Sequence, residues 1–173
     1  MSLRPILIHP DPRLKKVCEP IARITPEIEA LADDMLATMY DAPGIGLAAP
    51  QVGVLKRMFV VDASREPDEA PRAIVMVNPE LDWSSEETNG YEEGCLSVPD
   101  QYAEVTRPAQ VRMRWTGLDG KDHSEEFDGL WATCVQHELD HLNGVMFLDH
   151  ISAIKRQMIT RRMVKLKREM ARG

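Results

Sequence analysis

The chain has 173 residues, of which 21 are lysine or arginine and 28 are aspartate or glutamate, so its formal net charge is −7. Its length fits one domain, and its hydrophobic share of 43% argues against a disordered chain. Three cysteines cannot form a paired disulfide framework, no apolar run reaches the roughly 18 residues of a membrane span, and the N-terminus lacks a signal-peptide pattern. We therefore predict a single domain over residues 1–173, cytoplasmic and not bound to a membrane.

The charge is unevenly distributed along the chain. Residues 155–172 carry eight basic side chains and one acidic side chain, whereas the first 154 residues carry 13 basic and 27 acidic ones. An acidic body argues against general nucleic-acid binding, so we expect no DNA partner.

The predicted elements begin with a helix whose N-cap and first residue are Thr25 and Pro26, and whose apolar residues recur at helical spacing to about residue 41. The next segment, GIGLAAPQVG at residues 44–53, begins with glycines that neither a helix nor a strand favours. Strands separated by turns are predicted at residues 57–62, 73–78, 89–93, 102–106 and 110–116. An Asp-Gly pair then joins the last of these to a strand over residues 121–127.

Two further helices complete the predicted fold. Asp128 caps a helix that runs to residue 143, and Gly144 is positioned as its C-terminal stop. A last helix spans about residues 152–172, with a stripe of apolar residues that we expect to pack on the body. The stripe consists of Ile154, Met158, Ile159, Met163, Leu166 and Met170. This order of elements predicts an α+β fold in which antiparallel strands pack around a central helix, with a further helix at the C-terminus.

The central helix contains the strongest chemical pattern, QHELDHL at residues 136–142. His137 and His141 are four residues apart, so they project from one face of the helix and can bind the same metal ion. Glu138 borders that face and can reach a metal-bound water without ligating the metal. The pattern predicts a metal centre with an adjacent acid/base.

Two histidines leave the centre short of ligands. His150 does not fit the spacing of the third histidine in extended metalloprotease motifs. Upstream, the segment EGCLSVP places Cys95 in a turn after a predicted strand, and its thiolate could complete a catalytic Cys/His/His set with one open position. Cys134 is the rival sulfur donor, although a packed thiol is the commoner outcome on a buried helix.

The GIGLAAPQVG segment is a weaker signal by itself. It lacks the Gly-Lys-Ser/Thr of a phosphate-binding loop, and no strand directly precedes it. Gln51 within it could supply an amide donor to an oxyanion.

These three segments, in this order and at these separations, resemble the motif set of the peptide deformylases. The resemblance covers most of the chain, including the HPDP sequence at residues 9–12. Within the family, the chain is most similar to the bacterial type with a C-terminal helix. It implies a hydrolase that removes the formyl group from N-formyl-methionyl nascent peptides and releases formate.

The resemblance also implies a role for individual residues. The implied metal ligands are Cys95, His137 and His141, and the implied catalytic groups are Glu138 as acid/base with Gln51 and the Leu96 backbone N–H as oxyanion donors. The substrate backbone would be flanked by Ile45, Gly46 and Gly94. The methionine side chain would be surrounded by Ile45, Leu130, Thr133 and Cys134.

The resemblance implies ferrous iron as the metal in the cell, with zinc, nickel or cobalt able to occupy the site. Ligand type and the affinity order, in contrast, favour zinc.

One position departs from the family pattern. Many of these enzymes have arginine seven residues after the metal cysteine, where this chain has Tyr102. We expect the nearby Arg107 to keep a positive charge in this loop.

Two other classes of protein remain open from the sequence: a zinc endopeptidase that uses the His-Glu-His helix, and a non-catalytic module with a structural metal.

The basic C-terminal helix, about residues 152–172, predicts a partner. We expect Lys155, Arg162, Lys165 and Arg172 to face the ribosome, because formyl groups occur on nascent chains and ribosomal RNA is rich in phosphate. The competing view is that the basic helix only offsets the acidic body.

Overall fold

The computed structural model describes residues 1–173, which form three α-helices and seven β-strands. The helices are α1 (Pro26–Asp41), α2 (Gly129–Leu142) and α3 (Ala153–Arg172). The strands are β1 (Gly46–Ala48), β2 (Met58–Val61), β3 (Ile74–Ser84), β4 (Thr88–Cys95), β5 (Val98–Pro108), β6 (Gln110–Thr116) and β7 (Asp122–Asp128). Short 3-10 helices cover Pro12–Lys15, Ala49–Val52 and Phe147–His150. No helix combines the length and the apolar character that crossing a membrane would require.

The strands form two antiparallel sheets. Five of them pair in the order β1-β2-β3-β6-β7, and β4 and β5 form a separate hairpin. Helix α2 contacts strands of both sheets and so occupies the centre of the fold. The predicted α+β class, with antiparallel strands around a central helix and a further C-terminal helix, is confirmed.

Helix α1 follows its sequence signals. The side chain of Thr25 accepts a hydrogen bond from the Ile28 N–H at 3.3 Å, and Pro26 takes the first helical position, where its missing N–H costs nothing. Met35 and Met39 are fully buried in a core cluster that also contains residues of β1 and β2. The helix therefore covers one face of the strands that lead into the site.

Helix α2 ends where the sequence predicts. Gly144 has a φ of 73°, and a Cβ atom at this position would lie 2.5 Å from the Lys15 carbonyl oxygen. A glycine is required on both counts, because the left-handed conformation strains other residues and the space is already filled. This stop brings the chain after α2 against the N-terminal segment.

The expectation that the whole apolar stripe of α3 packs on the body is wrong. Ile159 and Met163 are buried, but Ile154, Met158 and Met170 are 75%, 46% and 61% exposed. The stripe is wider than the surface that the hairpin β4–β5 and the Phe147–His150 segment offer, so only its middle is covered. Part of the helix surface therefore combines apolar and basic side chains.

The glycine-rich segment departs from its prediction as well. Residues Gly46–Ala48 form strand β1 at the edge of the five-stranded sheet, paired with β2 from Gly46 opposite Val61 to Ala48 opposite Phe59. Only three residues pair, which is too short for an alternating pattern to reveal. Tertiary pairing, and not local propensity, makes this segment extended.

Candidate metal centre

Three side chains from two parts of the chain form a compact donor set. Cys95 ends strand β4, while His137 and His141 lie one turn apart on α2. One donor atom of each lies within 4.8 Å of those of the other two, and the Cys95 Sγ is 3.3 Å from the His141 Nε2. Cys134 is not part of this set. Its thiol donates instead to the Ile45 carbonyl oxygen, at 3.5 Å.

The chemistry and spacing of these donors fit a divalent metal ion. A thiolate and two neutral imidazoles suit zinc and the neighbouring transition metals, and ideal bond lengths give a sulfur–nitrogen separation of about 3.6 Å around a tetrahedral ion. The observed 3.3 Å is close to that value. Three protein ligands leave a fourth position open, as in catalytic centres.

Glu138 lies beside the donor set and is buried. Its Oε1 has no hydrogen-bond partner, and the Cβ that an alanine would add at Gly46 would overlap its carboxylate. Burial raises the pKa of Glu138 to about 7, the negative charge of Glu93 adds to this effect, and His137 opposes it. A carboxyl group in that range can both accept and return a proton near neutral pH.

Gln51 is held with its amide nitrogen towards the same point. Its Oε1 accepts a hydrogen bond from the Ala48 N–H at 2.9 Å, so the amide cannot turn over without losing this bond. Its Nε2 then lies 3.5 Å from the Cys95 Sγ and 3.1 Å from the Ser97 Oγ. The Leu96 backbone N–H, one residue past the cysteine, is not taken by any acceptor of the protein. The Leu96 N–H is thus free, and the Gln51 Nε2 is held beside the thiolate by its contacts with Cys95 and Ser97.

A cleft of about 680 Å³ opens onto these groups. Its lining includes Ile45 and Gly46, at the start of β1, and Gly94 and Tyr102 of the β4–β5 hairpin. The predicted pocket residues Leu130, Thr133 and Cys134 line its floor from α2. The structure therefore brings together the residues that the three sequence motifs single out.

Comparisons with known proteins give the same family from sequence and from structure. Residues 3–157 match the family model of polypeptide deformylase. The chain is 54% identical, over 100% of its length and 98% of the relative's, to the peptide deformylase of Mesorhizobium japonicum. The chain belongs to the polypeptide deformylase family.

Solved structures agree with this assignment. A crystal structure of a peptide deformylase from Legionella pneumophila matches with a TM-score of 0.90 and 43% identity, covering 99% of both chains. A crystal structure of a peptide deformylase from Acinetobacter baumannii with bound Met-Ala-Ser matches with a TM-score of 0.82 and 39% identity, covering 87% of this chain and 100% of that one.

The deformylase site contains a buried ionic network that the sequence analysis missed. Glu93 accepts a hydrogen bond from the His137 Nδ1 at 2.9 Å and is paired with Arg107 through two contacts of 2.7 and 3.0 Å. The second amino group of Arg107 donates to the Asp140 Oδ2 at 2.9 Å. Burial alone would raise the pKa of Glu93, but the hydrogen bonds from His137 and Arg107 outweigh it and hold that pKa below its ordinary value.

This network corrects the expectation for Arg107. The residue is 6% exposed, and its guanidinium group forms ion pairs with Glu93 and Asp140. It therefore does not supply a positive charge to the cleft rim. The rim has Tyr102 instead, whose ring lies over Gly94 and leaves no room for a Cβ there. One signal could have indicated Glu93: it lies two residues before Cys95 on a strand, and alternate residues of a strand share a face.

Proposed function

We propose that Cys95, His137 and His141 bind one divalent metal ion, and that this deformylase uses it to hydrolyse the formyl amide of N-formyl-methionyl peptides. The observation that carries the proposal is a Cys/His/His donor set within 4.8 Å, at the base of a cleft and next to a buried glutamate. A metal ion bound there supplies a Lewis acid, which acidifies water and polarises a carbonyl oxygen.

Glu138 moves the protons of the reaction. Its carboxylate accepts a proton from the attacking water, whose oxygen forms a bond to the formyl carbon. The carbon–nitrogen bond then breaks, and Glu138 returns the proton to the leaving amine. The products are formate and a peptide with a free N-terminal amine. Gly46 permits this role because its missing Cβ leaves space for the carboxylate.

Gln51 and Leu96 stabilise the charge that develops on the formyl oxygen. The Gln51 Nε2 and the Leu96 N–H are donors that the fold fixes before substrate arrives, so they need no reorganisation during the reaction. Removal of one such donor in other hydrolases lowers kcat by about 10²–10³-fold.

The walls of the cleft bind the substrate as an extended strand. Ile45 and Gly46 flank the peptide backbone on one side and Gly94 flanks it on the other, so main-chain hydrogen bonds align the formyl group for attack. Leu130, Thr133 and Cys134 surround the methionine side chain. The Met-Ala-Ser peptide bound to the Acinetobacter baumannii relative supports this use of the cleft.

Ferrous iron is the metal that we propose for the protein in the cell, with zinc, nickel or cobalt able to replace it after purification. The thiolate and imidazole donors accept all four ions, and the affinity order ranks ferrous iron below cobalt, nickel and zinc. Rapid anaerobic purification followed by elemental analysis tests this assignment. Zinc as the main metal in a freshly isolated active sample would contradict it.

A formate assay tests the function itself. The purified protein should release formate from a formyl-Met-Ala-Ser peptide and leave the unformylated peptide intact. Cleavage of internal peptide bonds without formate release would identify an endopeptidase instead. A metal-loaded protein that releases neither product would be a module with a structural metal.

We also propose that residues 1–173 act as one catalytic domain in the cytoplasm, and that α3 contacts the ribosome, where nascent substrates emerge. The exposed Lys155, Lys165 and Arg172 form no ion pair, and Arg162 donates to the neutral Gln101 at 2.8 Å. These four side chains are therefore not neutralised by the acidic body, which supports a surface for phosphate-rich RNA.

Ribosome co-sedimentation at low and high salt tests this contact. We expect binding that weakens steeply with salt and that is lost in the variant K155E/R162E/K165E. The matched control is K16E/R23E/K121E, which reverses three exposed basic residues outside α3. Unchanged co-sedimentation of the triple variant, or none for the wild type, would contradict the proposal without affecting the deformylase assignment.

A further inference from the structure

A second hollow shares no residue with the catalytic cleft. It lies between the N-terminal segment, the end of the Phe147–His150 helix and the first turns of α3. Every residue that lines it is polar or charged, and none is apolar. Such a lining suits a polar or charged ligand and not an apolar one.

Three cationic side chains reach this hollow, and one acidic side chain lies among them. Lys15 is paired with Asp149 through contacts of 3.0 and 2.8 Å. Arg156 and Arg161 line the same hollow, and their guanidinium groups have no hydrogen bond or ion pair with the protein. The hollow thus has a local excess of positive charge on a chain whose net charge is −7.

The buried His9 determines the hydrogen-bonding role of Thr160 in the hollow. This residue is 6% exposed, its Nε2 lies 2.9 Å from the Thr160 Oγ1, and its Nδ1 has no partner. A buried N–H without an acceptor is rarer than an unpaired acceptor, so we assign the proton to Nε2, which donates to Thr160. The Thr160 hydroxyl must then donate its own proton elsewhere, and the protein offers it no acceptor.

We infer that this hollow binds a phosphate group. Arg156 and Arg161 would pair with its oxygens, and the hydroxyl of Thr160 and the amide of Gln157 would donate further hydrogen bonds. The excess of two positive charges matches a phosphate dianion, whose second pKa is about 6. The ligand is either free phosphate or a phosphate monoester, or a phosphodiester of an RNA backbone.

Titration of the metal-loaded protein with inorganic phosphate, followed by NMR of the Gln157 and Thr160 amides, tests the site. Sodium chloride keeps the ionic strength constant. We expect saturable shifts for the wild type and an affinity at least about tenfold lower for R156E/R161E, since each charge-assisted contact contributes about that factor. The control R23E/R168E changes the same formal charge at exposed positions outside the hollow and should bind phosphate within twofold of the wild type.

Two variants of Thr160 test the assigned hydroxyl. Thr160→Val removes the donor and should weaken phosphate binding severalfold, while Thr160→Ser should restore it. Thermal melting of each variant reports whether it folds. Phosphate that binds at the catalytic metal would persist in R156E/R161E and is thereby separated from binding in the hollow.

An RNA arm distinguishes the two sources of the phosphate. Octauridylate without a terminal phosphate should shift the same amides and compete with inorganic phosphate if the ligand is an RNA backbone, and should do neither if the ligand is a free phosphate or a monoester. The inference is overturned if neither probe shifts these amides more than chloride does, or if phosphate shifts the Gln157 and Thr160 amides of R156E/R161E as it shifts those of the wild type.

Discussion

Two cysteines lie close to the histidines of α2, yet only Cys95 directs its sulfur towards them. The Cys134 thiol contacts the Ile45 carbonyl oxygen, and burial together with the nearby Glu138 and Glu93 raises the pKa of Cys134 well above its usual range. The Cys134 sulfur is directed at a carbonyl oxygen and is not part of the donor set of Cys95, His137 and His141. The two sulfurs therefore have different chemical roles despite their proximity.

This difference predicts opposite results for two conservative variants. Cys95→Ser should lose most of its metal and its activity, because a hydroxyl is a far poorer ligand than a thiolate. Cys134→Ser should retain the metal content of the wild type. Elemental analysis of both purified proteins measures this, and the reverse result would show that the sulfur ligand comes from α2.

Glu93 acts through His137 and not on the substrate. Glu93→Gln removes the charge that pairs with Arg107 and weakens the acceptor of the His137 N–H, so we expect metal affinity to fall about 10–100-fold. The free energy of unfolding should also fall, since breaking a buried ion pair costs about 3–5 kcal/mol. Chelator competition and denaturant unfolding measure the two effects. The exposed Glu104 on β5 gives the matched control Glu104→Gln, and equal effects of both variants would contradict the assigned role.

At the scale of elements, strand β1 and helix α2 are close enough that one glycine decides whether the acid/base fits. A Cβ at Gly46 would meet both carboxylate and Cγ atoms of Glu138, at distances too short for van der Waals contact. Gly46 is held in register by its pairing with Val61. The strand cannot move away without loss of that pairing, so the glutamate would have to move instead.

Gly46→Ala should therefore lower kcat by at least about tenfold, as expected for a misplaced catalytic group, while the metal stays bound. Gly90→Ala on β4 is the matched control, because its new Cβ would meet only the end of the exposed Glu104 side chain, which can turn into solvent. Formate release and metal content measure both variants. Full activity of Gly46→Ala would show that the carboxylate does not need its present position.

The sequence predicts the helices and strand β6 well, but it predicts only about half of the two longest strands: residues 73–78 of β3 (Ile74–Ser84) and residues 102–106 of β5 (Val98–Pro108). Helix α1, helix α2 and strand β6 carry caps or alternating patterns, and their bounds agree with the structure to within one or two residues. Strand β1 has no such pattern, since its conformation comes from pairing with β2. The burial of Arg107 depends on Glu93 and Asp140, which no local pattern connects to it.

At the scale of the whole molecule, the fold joins three distant segments around one cleft. The edge of the five-stranded sheet, the β4–β5 hairpin and the central helix α2 each supply one motif, and none of them forms the site alone. The motif residues were predictable because their chemistry is specific. Their orientation was not, because it depends on contacts such as Ala48 with Gln51 that only the folded chain creates.

The central claim is that Glu138 moves the protons of deformylation at a metal held by other residues. The most direct test measures bound metal and formate release on the same sample of Glu138→Gln. We predict the metal content of the wild type together with a rate about 10²–10⁴-fold lower. A variant that keeps its metal and still releases formate at a rate near that of the wild type would contradict the account.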